Sequence, residues 1–143
     1  MLILHDKVRE EMIEDALLAF PDEGCGFIFG EEDEGERIVT AIQVVNNARQ
    51  GDKRRRFEIS PLDYLHAEQF AEANGLQLLG VYHSHPNHPA IPSEHDRVAA
   101  QPYFSYIIIS IIDNQPEAIR SWRLNEEQQF EEEIISDFQL IKN

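Results

Sequence analysis

Apolar residues recur along the chain with two periods, and the switch from one to the other marks the elements. Val8, Met12, Ile13, Ala16 and Leu17 fall at helical spacing with charges between them, which predicts an amphipathic helix over 6–19 that ends before Pro21. The run GCGFIFG at 24–30 is apolar, bounded by glycines, and reads as a buried strand. The acidic patch EEDEGE at 31–36 is then a solvated hairpin turn, and 37–45 is the returning strand. A polar stretch, 46–56, ends in Lys53-Arg54-Arg55-Arg56 and leads into a short predicted strand at 57–59. Ser60-Pro61 suits a helix start and Gly75 a helix end, so 61–74 is the second helix.

Residues 77–82, QLLGVY, read as a buried strand that delivers His83 and His85 at its end. The three prolines of 86–92 stiffen the loop that follows. Ser93 opens a short helix that stops near Pro102, and 105–112 is a core strand. Asp113-Asn114 is a turn, and 117–124 pairs back as another strand. Trp122 and the aromatic residues of 103–106 read as core. The acidic, amphipathic tail at 125–143 is compatible with helix or strand. Strands and helices interleave without repeat or linker, which predicts one α/β domain over 1–143, a mixed sheet with helices packed on it.

Composition narrows the partners more than the fold. Twelve basic against 27 acidic residues give a net charge of −15, which repels phosphate backbones and anionic lipid, so neither nucleic acid nor membrane is expected as a partner. Lys53 to Arg56 is the basic cluster in this acidic chain, and either a solvated loop or a contact for an acidic partner accounts for it. The single cysteine, Cys25, excludes an intrachain disulfide and reads as a small buried hydrophobe. The start, MLILHDKVREEM, has neither a basic region nor a long apolar run, and no segment reads as a membrane span, so a cytoplasmic location is expected.

The chemistry concentrates in His83-Ser84-His85-Pro86, followed by Ser93 and Asp96. Residues two apart on a strand share a face, so His83 and His85 aim at one point. That pair alone is ordinarily two satisfied histidines. The stiff return loop and Asp96 turn it into three ligands for one zinc ion, a set that keeps its fourth position for water. Ser93 and Asp96 also fit a capping box, which is compatible with the metal role because a capped helix holds the carboxylate still. A hydrolytic zinc needs a base, and spacing does not choose among the carboxylates. Glu23 stands out before Gly24-Cys25-Gly26, though an exposed turn glutamate explains it as well. His88 and His95 read as loop residues, and His5 and His66 as solvated.

The string His83-Ser-His85-Pro, six positions, Ser93, two positions, Asp96 resembles the signature of the JAMM (MPN+) zinc metallopeptidases. Pro21-x-Glu23-x-Cys25-Gly26-x-x-x-Gly30 resembles the segment that carries the family's catalytic glutamate, and Arg56-Phe-x-Ile-x-Pro61 and Ser121-Trp122-Arg123 resemble its bacterial branch. The resemblance implies a cytidine-deaminase-like three-layer α/β/α fold. It implies zinc on His83, His85 and Asp96, one ion per chain. It makes Glu23 the general base and then the proton donor to the leaving amine, and Ser93 the donor to the oxyanion. It implies hydrolysis of an amide or isopeptide bond after the C-terminal Gly-Gly of a ubiquitin-like sulfur-carrier protein. A non-catalytic MPN-type scaffold is the alternative, and the oligomeric state is open. A nucleoside deaminase of the same fold needs paired cysteines, which this chain lacks.

Overall fold

The computed structural model describes residues 1–54 and 56–137; Arg55, within the basic cluster, and the tail from 138 lie outside the described residues. The strands are β1 Leu2–Leu4, β2 Cys25–Asp33, β3 Glu36–Val45, β4 Gln77–Pro86, β5 Ser105–Ile112, β6 Gln115–Leu124, β7 Phe130–Glu133 and β8 Ile135–Asp137. The helices are α1 Asp6–Ala19, α2 Pro61–Ala73 and α3 Glu94–Ala99. The strands form one mixed sheet in the order β7-β6-β5-β4-β2-β3-β1-β8. The pairs β4–β5, β1–β3 and β1–β8 are parallel and the others antiparallel.

Alternation along the strands sorts side chains into two cores, one on each face. Val8, Met12 and Ala16 of α1 pack with Ile28, Tyr82, Ile107 and Ile109. Ala67 and Ala71 of α2 pack with Phe27, Phe29, Val81 and Tyr106 on the other face. The result is a sheet sandwiched between helices, the α/β arrangement expected from the interleaved pattern. No helix of the described residues is long and apolar enough to cross a membrane.

Several elements differ from the sequence reading. Strand β1 was not expected; its three buried residues are too few to display a period, and parallel pairing on both sides makes it a strand. The acidic segment is mostly strand: β2 runs on to Asp33, and the turn is only Glu34-Gly35, both at positive φ. Phe57-Glu58-Ile59 is not a strand; it lies along the α2 face, where Phe57 and Ile59 pack into the core. Tyr103 is 82% exposed and not core. Trp122 is half-buried, with its indole N–H donating to the Ala90 carbonyl. The described part of the tail is strand, β7 and β8.

At the sheet end opposite the histidines a buried polar cluster ties six strands. Arg37 donates to Glu32, to the Leu79 carbonyl and to Ser105 Oγ, and the Ser105 and Ser121 hydroxyls both donate to Glu133. Beside it, Gly80 pairs with Ser105 so closely that a Cβ there would lie 1.9 Å from the Ser105 carbonyl oxygen. Gly80→Ala is therefore expected to destabilise the protein by about 2 kcal/mol or more, because backbone and not a flexible side chain must move. A lowered urea midpoint checks this, and an unchanged midpoint contradicts it.

Candidate metal centre

Parallel pairing with β5 continues past Tyr82 to Pro86↔Ile111, so the histidines lie within β4 and not beyond its end. Their side chains share the α2 face and are buried, His83 to 1% exposure. The following loop turns back, and α3 begins at Ser93 with a complete capping box: Asp96 N–H donates to Ser93 Oγ, and Ser93 N–H donates to Asp96 Oδ2. That cap fixes the Asp96 carboxylate over the histidines. His83 Nε2 and His85 Nε2 are 3.1 Å apart, and Asp96 Oδ2 is 3.4 Å from the first and 3.2 Å from the second.

This triangle suits a zinc ion. Bonds of about 2.0–2.1 Å in a tetrahedron put ligand atoms roughly 3.3 Å from one another. The surroundings hold both rings, His85 by a hydrogen bond and His83, whose buried Nδ1 has no partner, by packing. His85 donates through Nδ1 to the Pro89 carbonyl at 2.8 Å, which leaves the Nε2 lone pair free and sets the tautomer. Phe57 stacks on His83 with ring centroids 4.3 Å apart and planes 25° apart, so the ring orientation is held by packing. Burial holds the His83 pKa below the usual histidine range, favouring the neutral ligand form, although Asp96 works against it. Burial raises the Asp96 pKa, but the two histidines and the Ser93 N–H outweigh it and keep the carboxyl ionised.

Glu23 stands beside the triangle. A carboxylate oxygen of Glu23 and one nitrogen from each of His83 and His85 lie within 4.8 Å of one another. Glu23 is buried to 4% exposure, and its Oε1 has no hydrogen-bond partner. It is therefore not the exposed turn glutamate that its sequence context allowed. Burial first, then the nearby charges of Asp96 and Asp52, push its pKa up to about 9. Its backbone is clamped on several sides. Glu23 N–H donates to the Lys53 carbonyl, Asn47 Nδ2 donates to the Glu23 carbonyl, and Gly24 exchanges bonds with Ser84 through both N–H and C=O.

Ser93 is exposed and shares a cleft of about 490 Å³ with Glu23, His85, His88, Pro89 and Ile91. As the cap acceptor its Oγ uses a lone pair, so the hydroxyl proton remains available to donate. The structure thus brings His83, His85, Asp96, Glu23 and Ser93 to one place. His88 and His95 line the flanking cavities. Cys25 is fully buried, and burial pushes its thiol up to about 12, which makes it inert.

Sequence reasoning missed the positioning groups. Asn47 uses its whole amide: Nδ2 donates to the Glu23 and Arg56 carbonyls, and Oδ1 accepts from the Arg49 and Glu58 N–H groups. A lone asparagine in a polar stretch gives no signal of such a hub. The stacking of Phe57 on His83 had none either.

Comparison with known proteins adds the family. The model described as prokaryotic homologs of the JAB domain matches residues 5–125. The chain belongs to this family. Among relatives of this JAB-domain chain, a desampylase of Pyrococcus furiosus is 30% identical over 110 residues, 77% of this chain and 72% of that protein. A desampylase of Haloferax volcanii is 35% identical over 91 residues, and the match spans 63% of the length of each protein. A probable TtuB-protein conjugate cleaving protease of Thermus thermophilus is 32% identical over 105 residues, 73% of this chain and 64% of that protein. A solution structure from Desulfitobacterium hafniense superposes with a TM-score of 0.85 at 34% identity, covering 96% of this chain and 92% of that one. A JAB1/MPN domain protein of Archaeoglobus fulgidus, 17% identical, superposes with a TM-score of 0.60 over 94% of this chain and 96% of its own. The fold is the JAMM/MPN fold that the histidine signature implied.

Proposed function

We propose that this chain is a zinc-dependent hydrolase that cleaves the amide bond after the C-terminal Gly-Gly of a ubiquitin-like sulfur-carrier protein, or of its conjugates. The observation that carries the reading is the triangle of His83 Nε2, His85 Nε2 and Asp96 Oδ2, with edges of 3.1–3.4 Å, beside a buried Glu23 whose Oε1 has no partner. The relatives' names support the target: two are desampylases, and one is named for cleaving protein conjugates.

In this mechanism His83, His85 and Asp96 hold the ion. Zinc, when bound, supplies Lewis acidity that lowers the pKa of a water toward about 7 and polarises a carbonyl. Glu23 takes the proton of the attacking water on its carboxylate and delivers it to the nitrogen of the departing amine. The clamped backbone around Glu23 keeps the carboxylate aimed during both transfers. Ser93 Oγ donates its free proton to the carbonyl oxygen as charge builds there; one such donor is commonly worth about 3 kcal/mol in the transition state. A Gly-Gly tail suits a cleft whose walls are the reacting residues, because neither residue carries a side chain.

The test is intact-mass analysis of zinc-loaded protein incubated with a panel of ubiquitin-like carriers extended beyond Gly-Gly. Cleavage after Gly-Gly that stops on EDTA treatment is the expected outcome. A zinc-replete protein that cleaves none of the panel overturns the substrate assignment, and a protein that neither binds zinc nor cleaves belongs with the MPN-type scaffolds.

A further inference from the structure

We propose that the apolar chamber on the α2 side of the metal centre is a specificity pocket for the residue that follows the scissile bond, and that it selects a bulky apolar or aromatic side chain. This rests on the hydrolase reading above. The chamber has a volume of about 350 Å³, and Phe57, Ile59, Tyr64, Tyr106, Ile108 and Phe130 supply its apolar and aromatic walls. That size accommodates one large side chain and the backbone that carries it. Its further polar members are Glu58 and Gln101, both solvent-exposed, and the half-buried His95. An anionic side chain placed inside would lose its water and face the Asp96 and Glu58 carboxylates.

The position of the chamber decides which substrate residue it serves. His83 and Asp96 form part of its wall, so it opens directly on the ligand triangle. His85, Glu23 and Ser93 line the other cleft, which shares no lining residue with the chamber and reaches the same triangle through His85. A substrate crossing the centre therefore has one cavity on each side of the scissile bond. Under the proposed function the two residues before the bond are glycines and fill nothing. The next residue back is about 10 Å away along an extended chain at ~3.3 Å per residue. The first side chain within reach of the chamber is the one on the leaving side, while the Gly-Gly segment occupies the cleft of Glu23 and Ser93.

The test uses zinc-loaded full chain and carrier-tail peptides ending Gly-Gly-Xaa, with Xaa Phe, Leu, Ala or Asp. Phe and Leu peptides are expected to exceed Ala and Asp by about 30-fold in kcat/KM, within the range that a hydrophobic pocket discriminates. Ile59→Trp, which fills the chamber, should collapse the Phe-to-Ala ratio to within about twofold whatever the absolute rate. Equal kcat/KM across the wild-type panel overturns the pocket and leaves the hydrolase reading standing. If no peptide is cleaved, the substrate assignment on which the pocket rests fails, and the chamber is judged from the methyl NMR signals of Ile59 and Ile108. A Phe peptide that shifts them where an Asp peptide does not supports the pocket; no shift with either overturns it.

Discussion

Glu23→Gln is expected to lower kcat by about 10³-fold, the middle of the range for a lost general base, while metal content stays at the wild-type level. Glutamine keeps the volume and removes the proton-accepting charge, so the variant separates chemistry from packing. The control matters because Glu23 lies within ligand reach of both histidines. Loss of metal together with activity would make Glu23 a fourth ligand and not a base; retained activity would remove it from the mechanism. A second readout needs no substrate. In the metal-free protein the Glu23 carboxyl is pushed up to about 9 by burial, Asp96 and Asp52. The unfolded chain releases the same proton near its ordinary pKa of about 4.3. Between these values the native state binds a proton that the unfolded state lacks, so this contribution to stability is full below about pH 4.3 and is lost as pH rises through about 9. EDTA-treated wild type should show a urea midpoint that falls across that window, and Glu23→Gln should flatten the fall.

The candidate site was more legible in the sequence than the architecture that presents it. His83 and His85 could be read because strand alternation is a rule of covalent geometry, and Asp96 because a helix start is written locally in Ser93 and its neighbours. Glu23 could not be separated from a turn residue. The bonds that hold its backbone and that of Gly24 come from Lys53, Asn47 and Ser84, which are 24 to 61 positions from Glu23 and meet it only in the fold. The same holds for Phe57, whose motif reads as a strand but whose partner is the His83 ring. The unread strand residues of β2 and β7 share one physical cause. Where pairing, not side-chain burial, makes the strand, no hydrophobic period is left to read. Glu31 to Asp33 are exposed yet paired with β3, and β7 pairs three consecutive glutamates, Glu131 to Glu133, with β6. Strand β1 is the reverse case, wholly buried and too short to show a period.

Removing the carboxylate of Asp96 is expected to have the largest effect on the metal. Loss of a group that merely orients a ligand commonly costs 10–100-fold in affinity, so loss of a direct ligand should exceed about 100-fold. Asp96→Ala alone is ambiguous, because Asp96 also caps α3 by accepting from Ser93 N–H. Asp96→Asn resolves this: its carbonyl oxygen can still accept that bond, while the negative charge facing His83 and His85 is gone. Zinc affinity should fall in both variants, whereas stability of the metal-free protein should fall more in Asp96→Ala. Thermal melts with and without zinc read both effects at once. For wild type, zinc at 100 times its Kd adds about 2.7 kcal/mol to stability, and neither variant should gain more than a small part of that at the same concentration. A full zinc-dependent rise in Asp96→Asn would show that the two histidines bind the ion without Asp96, and the metal set would have to be rebuilt around Glu23, the other carboxylate within reach of both rings.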